Sequence, residues 1–490
     1  GEYSGVYFTF DVDKKKNVQY KIGVSYVSVE NARENLKAEN TGWDFLQIQN
    51  QAESKWNHYL GKIEVEGTNP DRTTQFYTHL YRSFIHPNVC SDVNGEYMGA
   101  DFRVHKSRSK HYTSFSNWDT YRTQIQLLSI LDPEVASDIV ISHQLFAEEA
   151  GGAFPRWVMA NIETGVMQGD PTPILISNAY AFGARNYDPK PIWKIMRKGA
   201  EEPGTMSQNI EVRPGLKQYL DKGYYNASIQ LEYTSADFAI GQFGLHAVGA
   251  EFASWRYFHF ARSWKNLYNP ETGWLQSRNP DGSWKPLTED FRESTYKNYF
   301  WMVPYDIAGL IEIIGGKAAA EKRLDEFFTR LDAGYNDAWF ASGNEPSFHI
   351  PWIYNWVGTP YKAQEIINRV LNEQYSSKID GLPGNDDLGT MGAWYVFACI
   401  GLYPEIPGVG GFTVNTPIFS SVKVHLKKGD MVIKGGSEKN IYIKSMKLNG
   451  KPCDSTWLDW DQLNNGATIE YTTSSKPDVK WGTKVTPPSF

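Results

Sequence analysis

Apolar residues at three- and four-residue spacing recur from Val29 to about residue 402, and this pattern limits the fold more than any other feature. Asp132-Pro133 and Thr359-Pro360 each predict a helix start, because Asp or Thr caps the first turn and proline is tolerated at the first helical position. The connections between the helices are long and rich in Gly, Pro and Trp. Many helices joined by long loops predict a mainly α fold, a helical toroid with a functional site at one rim.

Strand-like alternation flanks the helical region on both sides. Residues 6–28 alternate apolar and polar side chains, and short alternating segments resume after Pro407. A two-strand hairpin is not a stable domain alone, so the first segment is predicted to be the end of a larger β-domain. The predicted domains are residues 1–28, the last strands of an N-terminal β-sandwich; 29–407, a helical domain; and 408–490, a C-terminal β segment.

Composition excludes several classes of function. The net charge is −7 with both signs interspersed, so no basic stripe suggests nucleic-acid binding. No apolar run is long enough to span a bilayer. The 3 cysteines are too few and too widely spaced for a disulfide framework or a metal pair. The chain opens on Gly1 without a signal peptide, which is typical of a processed or trimmed product.

A Gly- and Pro-rich loop near residue 385 carries two adjacent carboxylates, Asp386 and Asp387, just before an apolar helical segment. Catalytic groups are common on loops held by a rigid element, and carboxylates before a helix meet its positive end. Two neighbouring carboxylates can hold a water molecule and titrate apart. A solvated acidic turn is the alternative, and the glycines together with Trp394-Tyr395 favour a site.

Two further segments offer carboxylates. Glu293 is followed within a few residues by aromatic side chains, and apolar surroundings would raise its pKa so that it could donate a proton near neutral pH. A surface glutamate at a helix start fits the sequence equally well. The second segment places Asn344 beside Glu345, whose oxygens suit Ca²⁺ or sugar hydroxyls and also suit a capped turn.

Aromatic and charged side chains are also grouped at Trp118-Asp119 with Arg122, and at Arg156-Trp157. An Asp and an Arg one turn apart beside a Trp could grip the hydroxyls of a ligand, or could form a structural ion pair on a helix. The sequence contains no nucleophile elbow, phosphate loop or dinucleotide fingerprint. The candidate chemistry is therefore that of carboxylates.

In their order and spacing these segments resemble glycoside hydrolase family 92, the calcium-dependent, inverting exo-α-mannosidases. Each motif is weak alone, and the match is specific because the motifs occur jointly over essentially the whole chain. The segments that carry the resemblance are residues 24–28 with 32–33, 116–122, 155–157, 165–170, 293 with 303–304, 343–347, 384–389 and 448–450.

The resemblance implies an N-terminal β-sandwich followed by an (α/α)6 barrel, of which this chain would hold the sandwich's last strands, the barrel and C-terminal β elements. It implies that Glu293 is the general acid and Asp387 the general base. The base would be assisted by Asp386 or by the residue at the position of Asn385, of which Asp386 is the one predicted here. Inversion requires the two carboxyl groups to lie about 6.5–9.5 Å apart, to admit a water. A calcium ion would bind the 2- and 3-hydroxyls of the terminal mannose, with Asn344 and Glu345 as candidate ligands.

The resemblance also implies contacts with the substrate and a location. The partners would be mannose-containing glycans and the missing sandwich segment, which would pack on the barrel. The family implies a secreted, periplasmic or cell-surface location. The residues implied to bind substrate are Trp118, Asp119, Arg122, Arg156, Trp157 and Glu345.

Three departures from the family pattern bear on specificity. Members selective for α-1,2 linkages have His-Glu where this chain has Asn344-Glu345, which argues against an α-1,2 preference. Pro171 stands where many members have His, and after Glu293 the usual Gly is Ser294. The alternatives to a mannosidase are a non-catalytic glycan-binding protein and another (α/α)6 glycosidase, such as a glucoamylase-like enzyme.

Overall fold

The computed structural model describes residues 5–11, 13 and 16–490 and is mainly helical, as predicted. Single turns of other helix types are a π-helix at Gly244–Val248 and 3₁₀ helices at Arg262–Leu267, Glu345–Ser347 and Ile350–Ile353. The α-helices are α1 (Val29–Glu39), α2 (Phe45–Leu60), α3 (Pro70–Ser83), α4 (Asn117–Thr120), α5 (Gln124–Leu131), α6 (Pro133–Glu149), α7 (Pro171–Ala181), α8 (Pro189–Glu201), α9 (Leu216–Lys222), α10 (Ala227–Phe243), α11 (Glu251–Ala261), α12 (Tyr296–Tyr299), α13 (Ile307–Ile313), α14 (Lys317–Phe327), α15 (Tyr354–Val357), α16 (Pro360–Glu373), α17 (Thr390–Ile400) and α18 (Trp460–Leu463).

The two helix starts predicted from proline are present. Asp132 caps α6, and its side chain accepts a hydrogen bond from the Val135 amide at 3.2 Å. Thr359 precedes α16 without a side-chain cap bond, so the fixed φ of Pro360 is the local signal that begins that helix.

The helices pack in two layers around one large core. Helices α5, α7, α10 and α17 are buried along nearly their whole length, and each contacts the next in the order α17, α5, α7, α10. Helices such as α8 bury one face only, through Ile192, Trp193 and Met196. Helices that are apolar all round lie inside, and amphipathic ones cover them. The rigid inner row supports the loops that carry the candidate site.

The strands are short, and the largest sheet has the order β1-β15-β16-β20-β17-β18. The strands are β1 (Ile63–Glu66), β2 (Asn88–Val89), β3 (Glu96–Met98), β4 (Val104–Lys106), β5 (Tyr112–Thr113), β6 (Phe115–Ser116), β7 (Trp157–Met159), β8 (Ile162–Glu163), β9 (Met206–Ser207), β10 (Ile210–Glu211), β11 (Tyr268–Asn269), β12 (Trp274–Leu275), β13 (Leu402–Tyr403), β14 (Gly411–Val414), β15 (Ser421–Leu426), β16 (Gly429–Lys434), β17 (Tyr442–Leu448), β18 (Lys451–Cys453), β19 (Trp457–Asp459) and β20 (Ala467–Ser474).

Strand pairing and many hydrogen bonds join the C-terminal β segment to the helical region. Strand β1 lies before α3 in sequence but pairs antiparallel with β15, with Val65 opposite Val422. At the chain end, the Phe490 amide donates to the carbonyl of Tyr305 at 2.9 Å. The segment after residue 407 therefore packs as part of the same body as the helices.

The described residues before Val29 form no strand within this chain, and the assignment of residues 1–28 to the end of a sandwich stays a prediction. Tyr20, Ile22 and Val24 have exposed side chains. A strand exists only with a hydrogen-bonding partner, and the part of the chain described here supplies none to this segment. Apolar alternation alone was therefore insufficient.

Asp92 anchors this N-terminal segment to the helical body. Its carboxylate accepts hydrogen bonds from the Ser25 hydroxyl and from the side-chain amides of Asn31 and Asn35, each at 2.7 Å. Residues 24–28 therefore have a structural role that fixes the start of α1.

The sequence predicted that the chain has no membrane-spanning segment and no disulfide framework. Among the described residues, no helix combines the length and the apolar character that crossing a membrane requires. Cys90, Cys399 and Cys453 are all free.

Candidate active site

Three carboxylates from separate parts of the chain meet at one place, and we call Asp119, Glu345 and Asp387 the carboxylate cluster. One oxygen of each side chain lies within 4.8 Å of the others. Asp119 lies on α4, Glu345 begins a 3₁₀ turn, and Asp387 lies on the loop before α17. Asp119 and Glu345 are each only 3% exposed.

Two glycines allow the loops of Glu345 and Asp387 to cross. A Cβ on Gly343 would lie 2.5 Å from the carbonyl oxygen of Pro383, and a Cβ on Gly384 would lie 2.4 Å from that of Gly343. Real Cβ atoms do not approach backbone oxygens so closely, so both positions require glycine. The glycines of these two segments therefore bring the cluster together.

Burial and mutual repulsion raise the pKa values of the cluster. The pKa of Asp119 lies well above its usual range because of burial and the neighbouring Asp387. The pKa of Glu345 is raised well above its usual range by burial, then by Asp119 and Asp387. Burial also raises the pKa of Asp387, against a hydrogen bond with Glu345 that lowers it. Carboxylates that are buried close together favour protonation or the binding of a cation.

Asp386 belongs to the same loop as Asp387 but has different partners. Its carboxylate accepts hydrogen bonds from the backbone amides of Gly389 at 3.0 Å and Gly392 at 2.9 Å, at the start of α17. A carboxylate in this position meets the unpaired amides and the positive end of the helix. These contacts give Asp386 the task of holding the loop that carries Asp387.

Glu293 lies on the loop before α12, and a backbone contact places this loop against the segment of Glu345. The Glu293 carbonyl accepts a hydrogen bond from the side-chain amide of Asn344 at 2.7 Å. Glu293 itself is exposed, so the prediction of apolar surroundings is wrong. The aromatic residues that follow it, among them Tyr299 and Trp301, turn into the core and do not enclose the carboxyl group.

Glu293 and Asp387 both adopt left-handed backbone conformations that non-glycine residues rarely take. The φ angles are +48° at Glu293, +45° at Asp387 and +58° at Leu388. Such residues persist where the surroundings hold them, and they cluster at active sites. Both acids thus combine a rare backbone conformation with a place at the site, although positive φ also occurs elsewhere, for example at Asp290 and Asn449.

The side chains of residues 118–122 have different roles at the site. The Trp118 indole donates to Glu232 at 3.0 Å, and the Arg122 guanidinium pairs with the same carboxylate at 3.2 Å. Trp118 is fully buried and Arg122 is 6% exposed. These two side chains therefore support α4 from behind, and Asp119 is the member that joins the cluster.

Arg156 and Trp157 hold a neighbouring hairpin. The Arg156 guanidinium donates to the carbonyls of Gly169 and Val212, both at 3.0 Å. The Trp157 carbonyl accepts the Thr164 amide at 2.9 Å, which closes β7 and β8 into a hairpin. The structure does not bring the polar groups of Arg156 into the carboxylate cluster.

Sequence reasoning missed two residues at the site. Tyr335 lies on the loop at residues 333–339, is 45% exposed, and has a pKa raised by burial and by the site carboxylates. The sequence feature that could have identified Tyr335 is the long loop before Asn344. Glu232 anchors Trp118 from within α10. Its signal was a charged residue in an otherwise largely apolar helix. The carboxylates that act on Tyr335 are Glu345, Asp387, Glu293 and Asp119.

The chemistry of the donor set fits a hard divalent cation. Three carboxylates within reach of one ion match the oxygen ligands that Ca²⁺ takes. Of the two predicted ligands, Glu345 belongs to this set. Asn344 uses its amide nitrogen on the Glu293 carbonyl, so its side-chain oxygen is the atom it could offer to an ion.

The sequence profile of the glycosyl hydrolase family 92 catalytic domain matches residues 31–475. The chain belongs to glycoside hydrolase family 92. A related protein of Arthroderma benhamiae, named an uncharacterized secreted glycosidase, is 27% identical over 98% of this chain and 64% of its own length.

Solved structures of family 92 enzymes have the same fold. An α-mannosidase of Bacteroides thetaiotaomicron is 29% identical, with a TM-score of 0.88 over 95% of this chain and 64% of the other. An inverting mannosidase of the same organism is 27% identical, with a TM-score of 0.88 over 95% of this chain and 68% of the other. The family 92 chain thus spans 64% of the length of the first of these structures and of the fungal relative.

The different partners of the two adjacent aspartates predict opposite effects on stability. Asp386→Ala should lower the free energy of unfolding by roughly 1–3 kcal/mol, because two helix-start amides lose their acceptor. Asp387→Asn should leave it unchanged or raise it, because one of three crowded charges is removed. Urea unfolding in the presence of a chelator measures both. A larger loss for Asp387→Asn than for Asp386→Ala would contradict these roles.

Proposed function

We propose that this chain is the catalytic part of an exo-acting α-mannosidase that removes non-reducing terminal α-mannosides from glycans with inversion. The observation that supports this most is the meeting of Asp119, Glu345 and Asp387 in one cluster, with Glu293 on a facing loop. Kinship with structures that are named α-mannosidase and inverting mannosidase supports the substrate class. The proposed carrier of this site is an (α/α)6 toroid.

In this proposal Glu293 and Asp387 act on opposite sides of the glycosidic bond. Glu293 donates its proton to the departing glycosidic oxygen while the bond from that oxygen to C1 breaks. Asp387 takes a proton from a water molecule whose oxygen attacks C1 from the other face. One such attack inverts the configuration at C1. Exposure of Glu293 to solvent suits an acid that must reach the leaving group and be reprotonated.

We further propose that Ca²⁺ is the cation of the carboxylate cluster. Asp119 and Glu345 would hold it, with the side-chain oxygen of Asn344 as a further ligand. When bound, the ion would polarise the 2- and 3-hydroxyls of the mannose and favour ring distortion toward the transition state. Asp387 lies in the same cluster, on the loop that Asp386 ties to the start of α17, and its carboxylate is proposed to act as the base.

The other assignments follow from the contacts of each residue. Trp118 and Arg122 are proposed to fix the mannose site through Asp119, and Arg156 with Trp157 to shape its wall through the hairpin. The exposed apolar side chains before Val29 support the proposal that an N-terminal sandwich packs there. The secreted character named for the fungal relative supports a secreted, periplasmic or cell-surface location. Asn344 in place of a His supports linkages other than strict α-1,2.

If Glu293 is the acid, Glu293→Gln should lower kcat on natural mannobiosides by roughly 10²–10⁴-fold. Activated aryl α-mannosides should be cleaved almost normally, because their leaving groups need no proton. Steady-state kinetics on both substrates measure the difference. The matched control is Glu289→Gln, an exposed acid four residues earlier, which should change neither. Equal loss on both substrates would remove Glu293 as the acid.

If Ca²⁺ is held by the cluster, its affinity should fall as the pH is lowered from 7 to 5. The raised pKa values of Asp119 and Glu345 let protons compete with the ion above the ordinary carboxyl range. Each proton displaced should weaken binding by about tenfold per pH unit. Isothermal titration calorimetry of the protein stripped with EDTA measures this directly.

The calcium experiment has two controls. Asp119→Asn should weaken binding at all pH values, and Glu289→Gln should leave it unchanged. Activity should disappear in EDTA and return with Ca²⁺. Affinity that is independent of pH between 5 and 7, or full activity in EDTA, would contradict the calcium assignment.

A further inference from the structure

Glu405 is a buried acid that no described residue satisfies. It lies two residues after the end of β13 and is 5% exposed. Neither carboxyl oxygen has a hydrogen-bond partner within the described part of the chain. Leaving a buried polar group unpaired costs about 1–3 kcal/mol, and more if the group is charged. A partner outside the protein chain is therefore expected at this position.

Glu405 lines a small cavity of about 30 Å³, and Glu345 of the carboxylate cluster lines the same cavity. Glu345 belongs to both the cluster and the cavity wall. Its Oε1 and the Oε1 of Gln126 are buried and, like Glu405, have no partner among the residues described. The Gln126 amide nitrogen donates to the Tyr121 carbonyl at 2.8 Å, which leaves Oε1 as the atom without a partner.

The size and lining of the cavity select water as its occupant. A space of about 30 Å³ holds roughly two waters, since one needs about 10–15 Å³ and two to four polar partners. Water has two hydrogens to donate, which suits a wall with several acceptor oxygens. Arg122 lines the same cavity, so a second cation there would meet a positive charge.

We propose that Glu405 is a positioning residue: with Gln126 it holds ordered water against Glu345, and this water fixes Glu345 in the carboxylate cluster. Burial raises the pKa of Glu405 well above its usual range, which favours the protonated form, in which the carboxyl group can donate a hydrogen to the water. The predicted loss of kcat rests on the proposed mannosidase function, whereas the presence of ordered water in the cavity does not depend on that function.

Stability and activity separate this role from a merely structural one. Glu405→Leu replaces a buried acid by an apolar group of similar size, so relief of the desolvation cost of the acid offsets the lost hydrogen bonds to water and the melting temperature should change little. The cavity water and the hold on Glu345 would be lost, so kcat should fall by roughly 10- to 100-fold, the scale of a displaced catalytic group. KM should change less than kcat. A structural residue would instead lower stability and activity together.

Three variants complete the test. Glu405→Gln keeps a polar side chain of the same shape and should retain at least about half of the wild-type kcat. Gln126→Leu should lower kcat, and its effect should not add to that of Glu405→Leu, because both act through one water. Tyr471→Phe removes another buried hydroxyl that lacks a partner within the described residues, on β20, and should change neither kcat nor KM.

Crystal structures of the wild type and of Glu405→Leu test whether the cavity holds ordered water and whether this water fixes the position of Glu345. The wild type should show water within hydrogen-bond distance of Glu405, Gln126 and Glu345, and the variant should lose it and show a displaced Glu345 carboxylate. A dry wild-type cavity, or an unmoved Glu345 with unchanged kcat in the variant, would overturn the inference. A wild type that shows the water but does not cleave aryl α-mannosides would refute the proposed function alone.

Discussion

Repulsion among Asp119, Glu345 and Asp387 is the interaction on which the rest of this site depends. Two unit charges 4.8 Å apart repel by roughly 3 kcal/mol at an effective dielectric constant of about 20. Three such groups stay together only if protons or a cation lower their net charge. Together with burial, this repulsion raises the pKa values of Asp119 and Glu345, and it favours the proposed Ca²⁺.

Buried helices and loop contacts hold the three carboxylates in place against their mutual repulsion. The buried inner helices give each loop a fixed base, and Asp386 ties the loop of Asp387 to the start of α17. The crossing at Gly343 and Gly384 joins that loop to the segment of Glu345. A site assembled from distant segments therefore behaves as one unit, and strain at its two facing acids can persist.

The sequence was sufficient for the features that depend on local chemistry. Helical periodicity predicted the mainly α fold, and glycine-rich loops with carboxylates marked the segments of Asp387 and Glu345. The sequence was insufficient for structural features that depend on contacts with residues far away in the chain. Alternation before Val29 predicted strands, but a strand needs a partner. The aromatic residues after Glu293 predicted an apolar pocket, but α12 turns them into the core.

The stereochemistry of hydrolysis tests the central claim most directly, because it reports whether one water attacks across the gap between Glu293 and Asp387. Proton NMR during the first turnover of an aryl α-mannoside identifies the anomer that is released before mutarotation. The account predicts β-mannose as the first product. Initial release of α-mannose would contradict a direct attack by water and with it the roles assigned to both acids.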